Sequence, residues 1–408
     1  MKFNSQTVVV LIAFLFVGTV PSLVGSQTQE FNRSDFDYVG SFALPGMFDW
    51  GARGADFRRR EDGDTTKGLP GSLIITTHDY RANVAEVAIP TPVVSTVLGD
   101  LPVAKVLTPE FDVEGGRISE LYALDGSDPH SALLGGVEYI EETGDLVFSA
   151  YLWYNLGGVN YRNVGTNRFG GNADTVEAWW HVGPFRNSDF HSSRTGDYLF
   201  QVPSEWADRN LGGKSLITGF HRSAGAFGSS QGPAFFAFAP PAEGSEPTSD
   251  LEALDLMWFP EEHKCLAFGP EGFQFQDPDA CSYPDYRPCD TWQSGVWIER
   301  GEKSAMLLAG MKSIGETTYS GGYYCGEYLP YFTLFDPAQL IEAAQGKRKP
   351  WKVLPYAAFR PEGIWDATGS YAQGLGGAAF DIENGFLYVV QKHEAGAKSV
   401  VHVWELAP

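Results

Sequence analysis

The chain of 408 residues is poor in basic residues, cysteine and long apolar runs, and each scarcity excludes something. Lysine and arginine number 29 against 51 aspartates and glutamates, a net charge of −22. Nucleic-acid binding rests on neutralising phosphates, so this balance argues against a nucleic-acid partner. A polyanionic substrate stays open, because screening over about 8 Å lets a local basic hollow act against the global sign. Beyond residue 26 no segment approaches the roughly 20 apolar residues that a membrane span needs. The apolar run Val8–Val20 follows Lys2 and precedes Val24-Gly25-Ser26, the pattern of a secretory signal peptide over residues 1–26. An exported protein, extracellular or periplasmic, is therefore expected.

The four cysteines, Cys265, Cys281, Cys289 and Cys325, fall in one stretch. An even count in an oxidising compartment predicts two disulfides, and the spacings lack the short cysteine pair of a zinc site. Three pairings are open; Cys281 with Cys289 and Cys265 with Cys325 is the favoured one. Catalytic signatures are missing too. The chain has no G-x-S-x-G elbow, H-E-x-x-H helix, Walker loop or EF-hand loop, so serine-triad and zinc-peptidase chemistry lose their usual support. No cofactor is required by anything in the sequence. Asp277, Asp279, Asp285 and Asp290 crowd the cysteine stretch and offer hard oxygen ligands to a structural calcium.

What is abundant is glycine, at 47 residues, and aromatic side chains, at 14%. Both suit β-structure, one in turns and the other on pleated surfaces. A strand-like beat recurs five times at intervals of roughly 70 to 90 residues: Gly71–Ile75, Gly144–Phe148, Lys214–Thr218, Lys303–Leu307 and Gly385–Val389. Gly135-Gly136 and Gly376-Gly377 precede two of these beats, each pair opening a β-hairpin. Further strands end at proline (Val84–Pro90, Asp197–Pro203, Phe235–Pro240, Phe332–Pro337), which predicts edge positions. Two short helices are expected, one capped by Ser204 over 205–211 and one capped by Asp336 over 337–345.

Such a repeat predicts an all-β fold, a β-propeller of five blades, with six or seven as alternatives and a β-sandwich or two stacked β-domains as the rival architecture. The propeller would fill residues 27–408 as a single monomeric domain, with a cysteine-containing insertion around 260–325. The strand Val400–Leu406 would pair with Asp37–Leu44 and close the ring.

Residues leaving each beat would face the channel mouth. They are His78, Tyr80 and Arg81; Trp153 and Tyr154; His221 and Arg222; Lys312; and Lys392 and His393. Trp180, His181 and Trp292 add aromatic and imidazole groups for stacking on sugars.

The runs His181-Val182-Gly183-Pro184, Gly196–Pro203 with Glu205-Trp206-Ala207, Gln231-Gly232-Pro233-Ala234, Lys303-Ser304-Ala305 and Phe335–Ala338 resemble a family of secreted bacterial proteins without assigned function. In architecture the chain also resembles the propeller polysaccharide lyases of the ulvan lyase type. That resemblance implies histidine and tyrosine for proton transfer and an arginine against a uronate carboxylate. The expected function is β-elimination on an acidic polysaccharide. His78, Tyr80, Tyr154, His221 and Arg222 would be catalytic, and Arg81, Trp153, Trp180, His181, Trp292, Lys312 and His393 substrate-binding. Glycoside hydrolysis by carboxylates such as Asp56, Asp79, Glu138 and Asp366 is the alternative, and non-catalytic glycan or partner binding the third.

Overall fold

A computed structural model describes residues 30–408 apart from 61–67, 80, 126–131, 154, 156–157, 222–229, 231, 243, 261–265, 270–271, 276–282, 284–285, 288, 315–316, 320–322, 366–373 and 393–397. Five antiparallel sheets form a five-bladed β-propeller. The first strand, β1 (Phe36–Ala43), belongs to the last blade. Blade one is β2 (Ala55–Arg58), β3 (Gly68–Thr76), β4 (Asn83–Pro90) and β5 (Val106–Asp112). Blade two is β6 (Ala132–Ile140), β7 (Asp145–Leu152), β8 (Val164–Arg168) and β9 (Glu177–Val182). Blade three is β10 (Tyr198–Gln201), β11 (Leu216–Gly219), β12 (Phe235–Phe238) and β14 (Ala253–Met257), while β13 (Asp250–Leu251) lies parallel on β9. A hairpin, β15 (Leu266–Gly269) and β16 (Gly272–Phe275), follows. Blade four begins with β17 (Thr291–Arg300) and β18 (Lys303–Ser313). After the small hairpin β19 (Thr317–Tyr319) and β20 (Tyr323–Cys325), it continues with β21 (Tyr328–Phe335) and β22 (Ala357–Phe359). Blade five is β23 (Leu375–Asp381), β24 (Phe386–Gln391) and β25 (Val400–Leu406), completed by β1. Phe36 to Ala43 run antiparallel to Leu406 to Val400, so the ring closes as the sequence predicts.

The five beats are the second strands β3, β7, β11, β18 and β24. Their mostly apolar character follows from burial on both faces, since each blade is sandwiched between two others. Along β18, Met306 and Leu308 pack towards blade three, and Leu307 and Ala309 towards blade five. Along β24, Leu387 and Val389 face blade four, and Tyr388 and Val390 face blade one. Five apolar clusters result, one per blade interface. Each fully buried Leu, Ile, Val or Phe contributes about 1.5–3 kcal/mol, so the interfaces hold the ring together.

Three local expectations change. The strand β4 ends at Pro90, and β12 and β21 end two residues before Pro240 and Pro337, yet each is third of four and paired on both sides; the prolines stand at the last rung or beyond it. Of the two expected helices, the one at Ser204–Asn210 begins at Ser204 itself behind Pro203, with no side-chain cap. The stretch 260–325 holds the two inner strands of blade four as well as the small hairpins. The other helix matches its reading: Asp336 accepts from the Ala338 amide at 2.9 Å, with Pro337 in the first turn. Cys289 is buried, and no cysteine among the described residues is free. Cys265, Cys281 and the Cys325 side chain, and with them the expected pairings, lie outside the described residues. No helix among the described residues is long and apolar enough to cross a membrane.

Candidate functional site

The inner strands β2, β6, β10, β17 and β23 surround the axis, and glycine lets them approach. A Cβ on Gly54 would lie 2.8 Å from the Gly136 Cα, and one on Gly377 2.5 Å from the Ala55 nitrogen. Three of these strands carry β-bulges near their starts, at Leu134/Gly136, Trp292/Ser294 and Leu375/Ala378. A bulge re-aims side chains and interrupts pairing. At the bulge in β6, and just before β2 and β10, hydroxyls of the second strands take up backbone amides. The amides of Gly54, Gly136 and Gly196 donate to Thr76 (3.0 Å), Ser149 (3.1 Å) and Thr218 (2.8 Å).

Above this glycine belt, all five blades contribute to one cluster. Just before β2, Arg53 forks onto Asp79 with bonds of 2.7 and 2.6 Å. Its guanidinium stands 5.5 Å from the ring of Trp153, which follows β7 and is half-buried. The Trp153 ring lies 5.5 Å from the imidazole of His221, which follows β11, and Tyr151 meets the same imidazole at 5.2 Å. His221 Nδ1 pairs with the Asp197 carboxylate, which also accepts the His221 amide at 3.2 Å. The His221 carbonyl accepts from the Trp292 amide at 2.7 Å, tying blade three to blade four. Next along β17, Gln293 accepts from Lys392 Nζ at 3.2 Å, and Lys392 follows β24 of blade five. Burial, with the neighbouring Arg53 charge, pulls the Lys392 ammonium down to about 7.

Chemically, a buried imidazole held by a buried carboxylate through Nδ1 is fixed in tautomer and orientation. Half-exposed indole beside it suits stacking on a sugar face or a cation.

The sequence-derived residues divide by place. His78 reaches the rim, its backbone bridged to Gly51, and Trp153 and His221 are in the cluster. Arg81 points outward, 54% exposed and paired with Glu110 at 3.2 Å. Trp180 is wholly buried between blades two and three, its indole N–H donating to the Glu246 carbonyl. His181 is buried on the fourth strand of blade two, with its nitrogens against the Gly183 carbonyl (2.7 Å) and Asn160 (3.1 Å). Trp292 and Lys312 line a separate hollow of about 220 Å³ with Tyr283 and Tyr331, where Lys312 binds Asp290 at 2.8 Å. Asp290 also accepts from Ser313 and Arg287, so its oxygens serve the protein itself. Tyr80, Tyr154, Arg222, His393, Asp277, Asp279, Asp285 and Asp366 lie outside the described residues.

Sequence reading missed Arg53, Asp197 and Gln293 as site members, and it placed Lys392 at the fifth exit without giving it a role. The first three stand just before or at the start of inner strands, and the signal that could have found them is the glycine beside or near each one: Gly54, Gly196 and Gly295.

At the other end of the inner strands a hollow of about 300 Å³ is lined by Asp56, Glu138, Tyr139, Gln201, Trp297 and Asp381, among others. Asp56 accepts from the Tyr139 amide at 2.8 Å. Burial pushes its carboxyl up to about 7, and burial with the Asp56 charge pushes Glu138 up as well.

No family model matches the chain. No curated protein matches it in sequence. Among solved structures it is similar to a luciferin-regenerating enzyme, at 8% identity and a TM-score of 0.34, covering 91% of this chain and 94% of that one. It is also similar to a protein of unknown function from Dyadobacter fermentans, at 7% identity and a TM-score of 0.39, covering 91% and 100%.

Proposed function

We propose that the protein is an exported carbohydrate-active enzyme that cleaves a uronate-containing polysaccharide by β-elimination at the upper mouth. The observation that carries this reading is the His221–Asp197 pair packed against Trp153, with Arg53 on the same indole. In the elimination, His221 Nε2 takes the proton from C5 of the uronate. The C5–H electrons form the C4–C5 double bond, and the C4–O bond breaks. A phenol then supplies the proton that the leaving oxygen needs. Asp197 holds the imidazole and stabilises the imidazolium; a positioned base of this kind contributes about 10²–10⁴-fold.

Charge accumulates on the uronate carboxylate as the proton leaves, and a cation must offset it. Arg222, the residue after His221 in the chain, is assigned that role, and Arg53 adds positive potential across Trp153. Tyr154, next to Trp153, is assigned as the acid. Trp153 itself would carry the sugar face.

The test is an increase in ultraviolet absorbance from the unsaturated product across a panel of uronate polymers, lost in His221→Ala. No absorbance change with any polymer refutes elimination. One observation favours a second reading: Asp56 and Glu138, on neighbouring inner strands, share one hollow, and a glycosidase needs two carboxyl groups about 5–9.5 Å apart. Reducing ends released without unsaturation, and lost in Glu138→Gln, support that reading. Polymer binding without any product supports a binding module.

A further inference from the structure

The elimination chemistry leaves one reactive group in the upper cluster unused. Lys392 is 4% exposed, and its stem lies against the backbone of Gly376, where an added Cβ would come within 3.2 Å of the Lys392 Cγ. The missing side chain at Gly376, inside the bulge of β23, therefore leaves room for the lysine stem. Its Nζ meets the Gln293 carbonyl oxygen at 3.2 Å. The other end of that amide, Gln293 Nε2, is buried and has no hydrogen-bond partner in a residue only 2% exposed. A buried donor left without an acceptor is costly, so the position asks for one. Arg53 stands close enough for its charge to act on Lys392, and Asp79, held by the Arg53 fork, acts on the lysine in the opposite and weaker sense.

We propose that Lys392 is a carbonyl-capturing amine, and that its ligand is a small oxo acid held by Gln293 in the field of Arg53. In this step the Nζ lone pair adds to the carbonyl carbon and a C–N bond forms. The former carbonyl oxygen leaves as water with both amine protons, giving an imine; nothing is oxidised or reduced. The ligand carboxylate accepts from Gln293 Nε2. A lysine that is desolvated beside another cation is the arrangement that keeps an amine neutral and nucleophilic near neutral pH. Lys392 is held down to about 7 for those two reasons. The inference stands whether or not the protein cleaves a polysaccharide.

Glyoxylate with cyanoborohydride is the probe, because reduction traps the imine as a carboxymethyl-lysine that peptide mass spectrometry locates. At pH 7 Lys392 should be modified at least tenfold over the exposed Lys347 and Lys349. Arg53→Gln removes the like charge, so labelling at pH 7 should fall several-fold and return at pH 9. Gln293→Leu should raise the glyoxylate concentration for half-labelling and leave the pH midpoint where it was. Lys392→Arg, checked by its melting curve, should show no adduct at that position. Labelling that follows exposure, with Lys392 unmodified up to pH 9 in the folded protein, overturns the proposal. So does a Lys392 pH dependence matching that of Lys347.

Discussion

Asp56→Asn should stabilise the protein in mildly alkaline solution and leave it unchanged in acid. Asp56 is half-buried on the inner strand of blade one, near Glu138 on that of blade two, and its carboxyl is pushed from 3.8 up to about 7. Because the folded value is raised, the folded state holds a proton that the unfolded chain has already released between pH 4 and 7. Stability therefore falls as pH climbs through that window, and above it the whole loss is present. A shift of about three pH units at 1.36 kcal/mol each gives about 4 kcal/mol, and partial solvent access with sharing between the two carboxyls brings it to about 2–4 kcal/mol. Asparagine keeps an oxygen for the Tyr139 amide, so the 2.8 Å bond survives while the titrating group goes. Urea unfolding followed by tryptophan fluorescence at pH 4 and pH 8 reads the difference. The expected result is equal midpoints at pH 4 and a higher midpoint for the variant at pH 8. A variant that is less stable by the same amount at both pH values would refute the reasoning, because Asp56 would then act as a plain acceptor.

Other outcomes follow from the same geometry. Asp197→Asn should lower kcat of the elimination by about 10²–10⁴-fold, read from initial rates, since the imidazole loses the group that orients it and supports its charge. Trp153→Ala should raise KM about tenfold with a smaller effect on kcat, read from initial rates, because stacking energies of about 1 kcal/mol or more are shared by ground and transition states. Gly54→Ala should destabilise by at least about 1–3 kcal/mol in thermal melts, since the added methyl meets the Gly136 backbone at 2.8 Å. If both disulfides form, unreduced denatured protein should show no reactive thiol, and reduction should cost about 2–5 kcal/mol per bridge.

Much of the architecture was readable because each blade repeats one physical requirement. A strand buried on both faces must be mostly apolar, with small hydroxyls such as those of Thr76, Ser149 and Thr218 bonded to backbone, and five such runs mark five second strands. The ring closure was readable because complementary strands stand at the two ends of the described chain. The three proline-ended third strands were misplaced since proline marks where a ladder stops, and that says nothing about which strand in the sheet is outermost.

The site was legible only where it sits on the same repeat. His221 and Trp153 follow second strands, so they could be found by position. Arg53, Asp197 and Gln293 come from the segments that lead into or open the inner strands, which lie far from the beats in sequence and vary in length between blades. Gln293 sits inside the bulge at Trp292/Ser294, and a bulge leaves no periodic trace. Trp180 and His181 show the reverse case: the residue types suit sugar binding, and packing uses them inside the blades.

The most direct measurement is a co-crystal structure of the His221→Ala protein with an uncleaved uronate oligosaccharide. The account expects a sugar ring stacked on Trp153, with its C5 hydrogen facing the space vacated by the imidazole and its carboxylate towards the cationic side of the mouth. An oligosaccharide bound in the opposite hollow, between Asp56 and Glu138, with the upper mouth occupied only by water, would contradict it.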